Sequence, residues 1–274
     1  MTGENQIKAE SPYIPETGIQ YPANPHDYLL HPKHLREISI DENYPFLDTS
    51  LKSRLHSKVI YAIIFFVVFW LNPLRYGLKI IGKGNIRRNK KLFRNGAITI
   101  GNHVYRWDFL AILQAVKFRR LWFPARAENL AGSDAGIIRA AGGIPVPEGT
   151  AAMRKFNEAF DELHRQKKWI HFFPEASRWD FYVPIRPFQK GAFFMAYKYN
   201  IPIIPFAFSY RKPTGIYKWL KVKHPLVTLH VGEPVIPDQK IPRKDCMKKM
   251  LEETHAQIVQ MAGIQGNPWP ASDA

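Results

Sequence analysis

His103 and Asp108 are two side chains whose types and spacing could support proton transfer. The apolar run 97–100 before them predicts a strand, and the apolar periodicity of 109–116 after them predicts a helix. On a single helix the two residues would lie about 140° apart, whereas with His103 in the loop the chain can bring the carboxylate to the imidazole. A carboxylate on one ring nitrogen fixes the tautomer and raises the basicity of the other nitrogen. The pair therefore predicts a general base that takes a proton from a hydroxyl, although the spacing also fits a surface histidine beside a helix-capping aspartate.

A second group of polar residues follows a predicted strand at 169–173. Glu175, Ser177 and Arg178 come after Pro174, at the end of the sheet where α/β proteins bind their ligands. An arginine can hold a phosphate through two parallel hydrogen bonds, and a glutamate can orient that arginine or accept a hydrogen bond from a hydroxyl. These residues are candidates for substrate binding, and an ordinary ion pair within the loop is the alternative.

Strand and helix patterns alternate from residue 97 onward. Strands are expected at 97–101, 121–125, 143–146, 169–173, 202–209 and 226–231. Helices are expected at 108–117, 134–141, 150–166, 189–199 and 243–262. This alternation predicts an α/β domain with a mixed, mostly parallel sheet flanked by helices. The chain has no Gly-x-Gly-x-x-Gly and no Walker-type motif, so a nucleotide-binding fold of those kinds is not supported.

The apolar stretch 59–71 has thirteen residues without a charge, fewer than the about 20 that a spanning helix needs. Trp70 lies at its end and cations flank both sides, a pattern typical of membrane-associated segments. We therefore expect a short apolar helix that dips into one leaflet, a turn at Asn72-Pro73, and a second, more amphipathic piece over 74–81. A buried core helix is the alternative.

The net charge of +16 is unevenly distributed along the chain. Residues 1–50 carry a net charge of −5, so the remaining residues carry +21. A body this basic favours an anionic partner, which could be phospholipid headgroups, nucleic acid or a phosphorylated substrate. The stretch 211–223 interleaves cations with Tyr and Trp, which suits an anionic membrane surface or nucleic acid.

The single cysteine, Cys246, excludes an intrachain disulfide framework and favours a reducing compartment. The histidines are scattered, so we expect no metal site, and the polar residues 1–10 predict no secretory signal. The expected organisation is a Pro- and Tyr-rich arm over 1–50, extended on the domain or partly disordered, a membrane-associating helical segment over 51–82, the α/β domain over 83–265 and a tail over 266–274.

Taken together, the motifs resemble those of the glycerolipid acyltransferases, of which the 1-acylglycerol-3-phosphate acyltransferase is the type member. Asn102-His103-x4-Asp108 resembles the first motif of the family, and Phe173-Pro174-Glu175-Ala176-Ser177-Arg178 resembles its Phe-Pro-Glu-Gly-Thr-Arg motif. The stretches 142–146 and 201–207 resemble two further blocks, and 124–130 resembles a basic segment, with Arg126 where a Lys is usual. The likeness covers roughly residues 75–235.

The resemblance implies that His103 deprotonates the acceptor hydroxyl and that Asp108 orients His103. The hydroxyl would attack the thioester of acyl-CoA or acyl carrier protein, with no metal or other cofactor. Arg126 and Arg178 would bind the acceptor phosphate. Glu175 would position the acceptor, and backbone near Gly143 would shape the acyl side. Ser177 is also predicted to bind substrate. The expected partners are membrane phospholipid and the acyl donor, at the cytoplasmic face of a membrane.

The sequence departs from the family pattern in its middle block, where Glu148 stands near the place of an Arg. The acceptor is expected to be 1-acylglycerol-3-phosphate, and the loss of one cation leaves open another lysophospholipid headgroup. Two further alternatives stay open. One is a transacylase that moves chains between phospholipids, and the other is a non-catalytic basic module that binds a membrane or RNA.

Overall fold

The computed structural model of the chain describes residues 13–30, 38–48, 50–132 and 134–273. The predicted arm therefore has three parts outside the described residues, 1–12, 31–37 and 49, and the predicted tail has one, Ala274. Within the described residues the strands are β1 (Lys79–Ile81), β2 (Ala97–Gly101), β3 (Leu121–Arg126), β4 (Gly143–Val146), β5 (Trp169–Phe172), β6 (Ile203–Arg211) and β7 (Leu226–Val231).

The helices in the described part of the chain are α1 (Leu51–Tyr76), α2 (Lys83–Arg88), α3 (Asp108–Ala115), α4 (Ala135–Ala140), α5 (Thr150–Arg165), α6 (Gly191–Tyr199), α7 (Ile216–Trp219) and α8 (Arg243–Met261). Short 3-10 turns occupy Leu92–Asn95 and Ala127–Leu130. Every predicted strand and helix of the α/β domain is present, with ends that differ by one or two residues.

The seven strands form one sheet in the order β1-β7-β6-β2-β5-β3-β4. All neighbouring pairs are parallel except β6 and β7, which are antiparallel. The predicted α/β class with a mixed, mostly parallel sheet is thereby confirmed. Because β6, β2, β5, β3 and β4 run in one direction, their carboxyl ends share one edge of the sheet, where α/β proteins place their ligands.

Two hydrophobic layers cover the two faces of the sheet. Phe160 of α5, Phe193 of α6 and Ile258 of α8 are buried in one layer, and Ile64 of α1 and Ile112 of α3 are buried in the other. The central strand β2 is buried over its whole length. Burial on both faces explains why apolar residues occupy both sides of the strand. Its one polar side chain, Thr99, lies 2.9 Å from Nδ1 of His171.

The expected turn at Asn72-Pro73 and the second helical piece over 74–81 are wrong. Helix α1 runs through Pro73 to Tyr76 and ends where Gly77 adopts a left-handed conformation with φ of 53°. A proline removes one N–H donor but leaves the following residues able to stay helical, whereas a left-handed glycine stops the helix. Residues Lys79–Ile81 form β1, which pairs with β7.

Helix α1 packs on the domain along one side only. Its Tyr61 hydroxyl donates a hydrogen bond to the Ala141 carbonyl at 2.8 Å, and its Phe65 ring lies 4.6 Å from the Phe118 ring. Large apolar side chains on the other side are exposed: Leu55, Val59, Ile63, Phe66, Trp70 and Leu74. Among the described helices, α1 is the one that is long and apolar enough by length and composition to cross a membrane.

Candidate active site

His103 and Asp108 meet as the loop geometry predicts. Strand β2 ends at Gly101, and α3 begins at Asp108. The Nδ1 atom of His103 lies 2.7 Å from Oδ2 of Asp108. The histidine side chain is 24% exposed and the aspartate side chain 1% exposed. The imidazole therefore faces solvent at one end and a buried carboxylate at the other.

The Asp108 carboxylate also accepts three backbone N–H groups. Its Oδ2 accepts from Val104 at 2.9 Å and from Tyr105 at 3.3 Å, and its Oδ1 accepts from Phe109 at 2.7 Å. These bonds keep the carboxylate in place and compensate for its burial. Because Asp108 holds Nδ1 of His103, Nε2 is the nitrogen that remains for a substrate.

Aromatic contacts fix the plane of the His103 ring. Phe173 stacks on it with ring centroids 4.0 Å apart, and the His171 ring makes an edge contact with Phe173 at 4.4 Å. His171 is fully buried, its Nδ1 lies 2.9 Å from the Thr99 hydroxyl, and burial lowers its pKa to about 3. His171 therefore stays neutral at physiological pH.

Glu175 holds the backbone of the His103 loop. Its Oε2 accepts the His103 backbone N–H at 3.0 Å, and its Oε1 accepts the Arg186 backbone N–H at 2.9 Å. The guanidinium of Arg186 lies 3.3 Å from Oε2. The side chains of Glu175 and Arg186 are 3% and 1% exposed. Both carboxylate oxygens of Glu175 are thus engaged with protein groups.

Arg186 is a central residue of this loop that lies outside the sequence motifs. Burial lowers the pKa of its guanidinium, and the Glu175 carboxylate opposes that shift. The guanidinium also donates to the Ser177 hydroxyl at 2.8 Å and to the Ser177 carbonyl. A signal was present, because Arg186 is a lone cation in the apolar stretch 183–188, and a charge enclosed by apolar residues is seldom buried without a partner.

The N-terminal arm lies on this loop. The Ser177 hydroxyl and the Trp179 indole N–H both donate to the Asp27 carbonyl, at 3.2 and 3.0 Å. Arg186 donates to the Pro25 carbonyl at 2.9 Å. The Tyr21 ring stacks on Trp179 with centroids 5.8 Å apart. The described part of the arm is therefore extended on the domain, and Ser177 is buried beneath it.

The two arginines predicted to bind phosphate both have carboxylate partners. The Nε atom of Arg178 lies 2.7 Å from Oδ1 of Asp180, and Nη2 of Arg126 lies 2.8 Å from Oε1 of Glu128. Their side chains are about one quarter exposed. The Arg126 guanidinium also lies 3.6 Å from the ring centroid of Tyr28, which belongs to the arm.

Gly143 has a packing role in the structure. A Cβ atom at this position would lie 2.7 Å from Ile138 Cγ2 and 2.9 Å from the Ile138 carbonyl oxygen. The glycine therefore allows α4 to approach the start of β4 closely. Glu148 lies exposed beyond the end of the same strand.

The structure brings four of the predicted site residues together: His103, Asp108, Glu175 and Ser177 are linked through hydrogen bonds or through Arg186. Arg178 precedes Trp179, whose backbone N–H donates to the His103 carbonyl at 3.2 Å. Arg126 lies on β3, two strands from β2, and Gly143 lies on β4, three strands away.

Comparison with known proteins places this geometry in a family. Residues 77–209, which contain both motifs, match the model of the Acyltransferase family. The fold is similar to the crystal structure of the 1-acyl-sn-glycerophosphate (LPA) acyltransferase PlsC from Thermotoga maritima, with a TM-score of 0.52 and 21% identity. That match covers 79% of this chain and 84% of the PlsC chain. The part of this chain over residues 77–209 therefore belongs to the Acyltransferase family.

Proposed function

We propose that this chain transfers a fatty acyl group from the thioester of acyl-CoA or acyl carrier protein to the hydroxyl of a lysophospholipid. The proposed acceptor is 1-acylglycerol-3-phosphate. His103 is the general base, and Asp108 orients it. The observation that carries the proposal is the buried Asp108 carboxylate 2.7 Å from His103 Nδ1, within a domain of the Acyltransferase family.

The proposed step moves one proton out and back. Nε2 of His103 takes the proton of the acceptor hydroxyl while the hydroxyl oxygen bonds to the thioester carbonyl carbon. The tetrahedral intermediate then collapses, the carbon–sulfur bond breaks, and the imidazolium returns the proton to the leaving thiolate. Asp108 stabilises the imidazolium in between. The thioester is already activated, so the step uses no metal.

The placement of two arginines supports an anionic acceptor. Arg126 is the last residue of β3, and Arg178 lies in the loop after β5. The carboxyl ends of both strands share an edge with that of β2, and both arginine side chains are partly exposed. Arginine suits phosphate because its N–H groups match two phosphate oxygens. A phosphate bound here would displace the Glu128 and Asp180 carboxylates from the two arginines, or it would bind the arginines together with them.

A second acceptor class has its own support in the same ion pairs. Glu128 and Asp180 already compensate the charges of Arg126 and Arg178, and Glu148 lies exposed beyond β4 at the same edge of the sheet. A zwitterionic headgroup, which carries a phosphate and an ammonium group, matches mixed charges of this kind better than a phosphate monoester does.

We also propose that the enzyme works on the cytoplasmic face of a membrane. The exposed apolar side of α1 supports contact with lipid. Cys246 is unpaired, which is typical of a reducing compartment. The donor thioesters are soluble, whereas the acceptor is a lipid, so the reaction belongs at a membrane surface.

The test of substrate is acyl transfer by the purified, detergent-solubilised chain with a panel of lysophospholipids. The donors are acyl-CoA and acyl carrier protein thioester, and the panel contains lysophosphatidate, lysophosphatidylcholine and lysophosphatidylethanolamine. We expect transfer to lysophosphatidate. Transfer to the zwitterionic acceptors alone would support the second class, and turnover without a thioester donor would indicate a transacylase. No transfer in any combination would refute the proposal.

Arginine variants sharpen the assignment of the headgroup site. With lysophosphatidate, Arg126→Gln and Arg178→Gln should each raise the acceptor KM about tenfold or more, because each removes charge-assisted hydrogen bonds. Arg94→Gln, an exposed position in the Leu92–Asn95 turn, is the matched control and should leave the KM unchanged. Equal KM values for all three variants would exclude Arg126 and Arg178 as phosphate ligands.

A further inference from the structure

The short helix α7 and the loop after it carry an unusual exposed apolar cluster. Trp219 is 78% exposed, Ile216 63% and Leu220 56%. Single exposed apolar residues are ordinary on protein surfaces, but three large ones within five residues mark an interaction surface. Acyl transfer as proposed above uses none of them.

Exposed cations surround this cluster. Four lysines are exposed, Lys212, Lys218, Lys221 and Lys223, and the stretch 211–223 contains no Asp or Glu. Within the described part of the chain none of these four lysines lies in a salt bridge. The surface thus combines a tryptophan, two aliphatic side chains and uncompensated positive charge.

The cluster is attached to the end of α1. The Tyr217 hydroxyl donates to the Pro73 carbonyl at 2.6 Å, Arg211 donates to the Gly77 carbonyl, and the His224 ring lies 4.5 Å from the Tyr76 ring. These contacts hold α7 next to the last turns of α1, where Trp70 and Leu74 are 60% and 65% exposed. The apolar cluster therefore continues the exposed apolar side of α1.

We propose that residues 214–223, which contain α7, form a second membrane contact that docks this protein on an anionic phospholipid bilayer beside α1. Trp219, Ile216 and Leu220 enter the interfacial region, where tryptophan is favoured, and the lysines bind headgroup phosphates. RNA would also attract the lysines, but it would leave the aliphatic side chains without an apolar partner. Because the cluster continues the exposed apolar side of α1, a lipid bilayer would give both surfaces an apolar partner.

The charge test is vesicle flotation with the full-length chain. The vesicles contain phosphatidylcholine alone or phosphatidylcholine with phosphatidylglycerol, and no acyl donor is present. Lys218→Gln/Lys221→Gln/Lys223→Gln should lower partitioning onto the anionic vesicles more than tenfold, because each lysine near an anionic surface contributes about 1 kcal/mol. The triple variant should bind the neutral vesicles like the wild type, since α1 is unchanged.

The matched control makes the same charge change on another face. Lys244, Lys248 and Lys249 of α8 are exposed, and their replacement by Gln should have little effect on flotation. Equal losses in the two triple variants would overturn the proposal, because they would reflect net charge alone. Loss of RNA binding with unchanged vesicle binding would overturn it in favour of nucleic acid.

Trp219 provides a direct measurement of insertion. Lipids brominated near the headgroup should quench the fluorescence of the wild type more than that of Trp219→Phe, and equal quenching would overturn the proposal. Trp219→Phe and the triple variant at Lys218, Lys221 and Lys223 should keep the thermal unfolding midpoint of the wild type, since the replaced side chains are exposed. Vesicle binding is measured without acyl transfer, so a failure of the proposed enzymatic function leaves these outcomes unaffected.

Discussion

At the residue scale, the two carboxylate oxygens of Asp108 accept hydrogen bonds from four N–H groups. They come from the His103 ring and from the backbone of Val104, Tyr105 and Phe109. The same carboxylate therefore shapes the loop and orients the imidazole. Replacement of Asp108 by the isosteric asparagine should therefore affect both catalysis and stability.

Asp108→Asn should lower kcat for acyl transfer by about a thousandfold, because an amide places a donor where N–H groups need an acceptor and removes the charge that stabilises the imidazolium. It should also lower the free energy of unfolding by about 1–3 kcal/mol, since buried donors lose their partner. Steady-state kinetics and chemical denaturation measure the two effects. A fold destabilised as expected with near-normal kcat would show that Asp108 is structural only.

His171 should make the fold sensitive to acid. Its pKa is about 3 in the folded chain because of burial, and about 6.5 when unfolded, so the unfolded state binds the proton more readily. The stability contributed by neutral His171 is present above about pH 6.5 and is lost as the pH falls toward 3. At pH 4.5 the loss should be about 3 kcal/mol.

The variant that tests this behaviour is His171→Gln, which keeps a polar side chain near Thr99 and does not titrate. Its stability should fall less than that of the wild type between pH 7 and pH 4.5, as measured by urea denaturation at each pH. Parallel pH profiles for the two proteins would contradict the assignment.

The site residues that the sequence predicts best are those joined by local chain geometry. His103 and Asp108 are separated by one loop, so their meeting follows from the strand and helix signals on either side. Tyr28 is not predicted because its contact with Arg126 joins parts of the chain that are distant in sequence. The same holds for the contact between Arg186 and the Pro25 carbonyl, although the lone cation at 186 is a local signal of a buried ion pair. Such contacts depend on the fold and leave little local pattern.

At the element scale, Asn102 ties the site strand to its neighbour. Its Oδ1 accepts the Phe208 N–H at 2.8 Å, and its Nδ2 donates to the Phe208 carbonyl at 3.4 Å. The side chain is 1% exposed. The residue before His103 therefore extends the pairing of β2 with β6 beyond Gly101 and fixes where the His103 loop begins.

Asn102→Ala should lower the free energy of unfolding by about 1–3 kcal/mol, because both Phe208 backbone groups lose a buried partner. Activity should fall as well, since the His103 loop loses its anchor on β6. Asn95→Ala, at an exposed position in the Leu92–Asn95 turn, offers a comparison at a site remote from the catalytic loop. Unchanged stability in Asn102→Ala would show that the pairing of β2 and β6 does not need this side chain.

The elements that the sequence predicted are those with strong periodic or continuous apolar signals. The buried strands β2 and β5 and the amphipathic α5 are of this kind. Strand β1 was missed because it has three residues at the edge of the sheet, too few for a pattern. The end of α1 differs from the prediction because the helix accommodates Pro73 and stops only at the left-handed Gly77.

At the scale of the whole molecule, the acidic N-terminal region contacts the basic body at the candidate site. Carbonyl groups of Pro25 and Asp27 accept hydrogen bonds from Arg186, Ser177 and Trp179. A composition rich in Pro and Tyr predicted an extended arm, but the surface on which it lies is a property of the folded domain. The arm therefore packs directly against the loop that supports the candidate active site.

Deletion of residues 1–30 should speed amide hydrogen exchange in the 175–186 loop and lower acyl transfer severalfold, because the loop loses its hydrogen bonds and the Tyr21 stack. Deletion of residues 1–12 removes no contact that the structure describes and serves as the control. Unchanged exchange in the loop after the longer deletion would contradict a structural role for the arm.

The most direct test of the account is the rate of acyl transfer by wild type and by His103→Gln, with the donor and acceptor pair that the panel identifies. The variant should stay folded, because the three backbone N–H groups that hold Asp108 are unchanged. Its kcat should be lower by at least about a hundredfold, the usual contribution of a general base. A folded His103→Gln protein whose kcat lies within about threefold of wild type, a change too small for loss of a general base, would contradict the central claim.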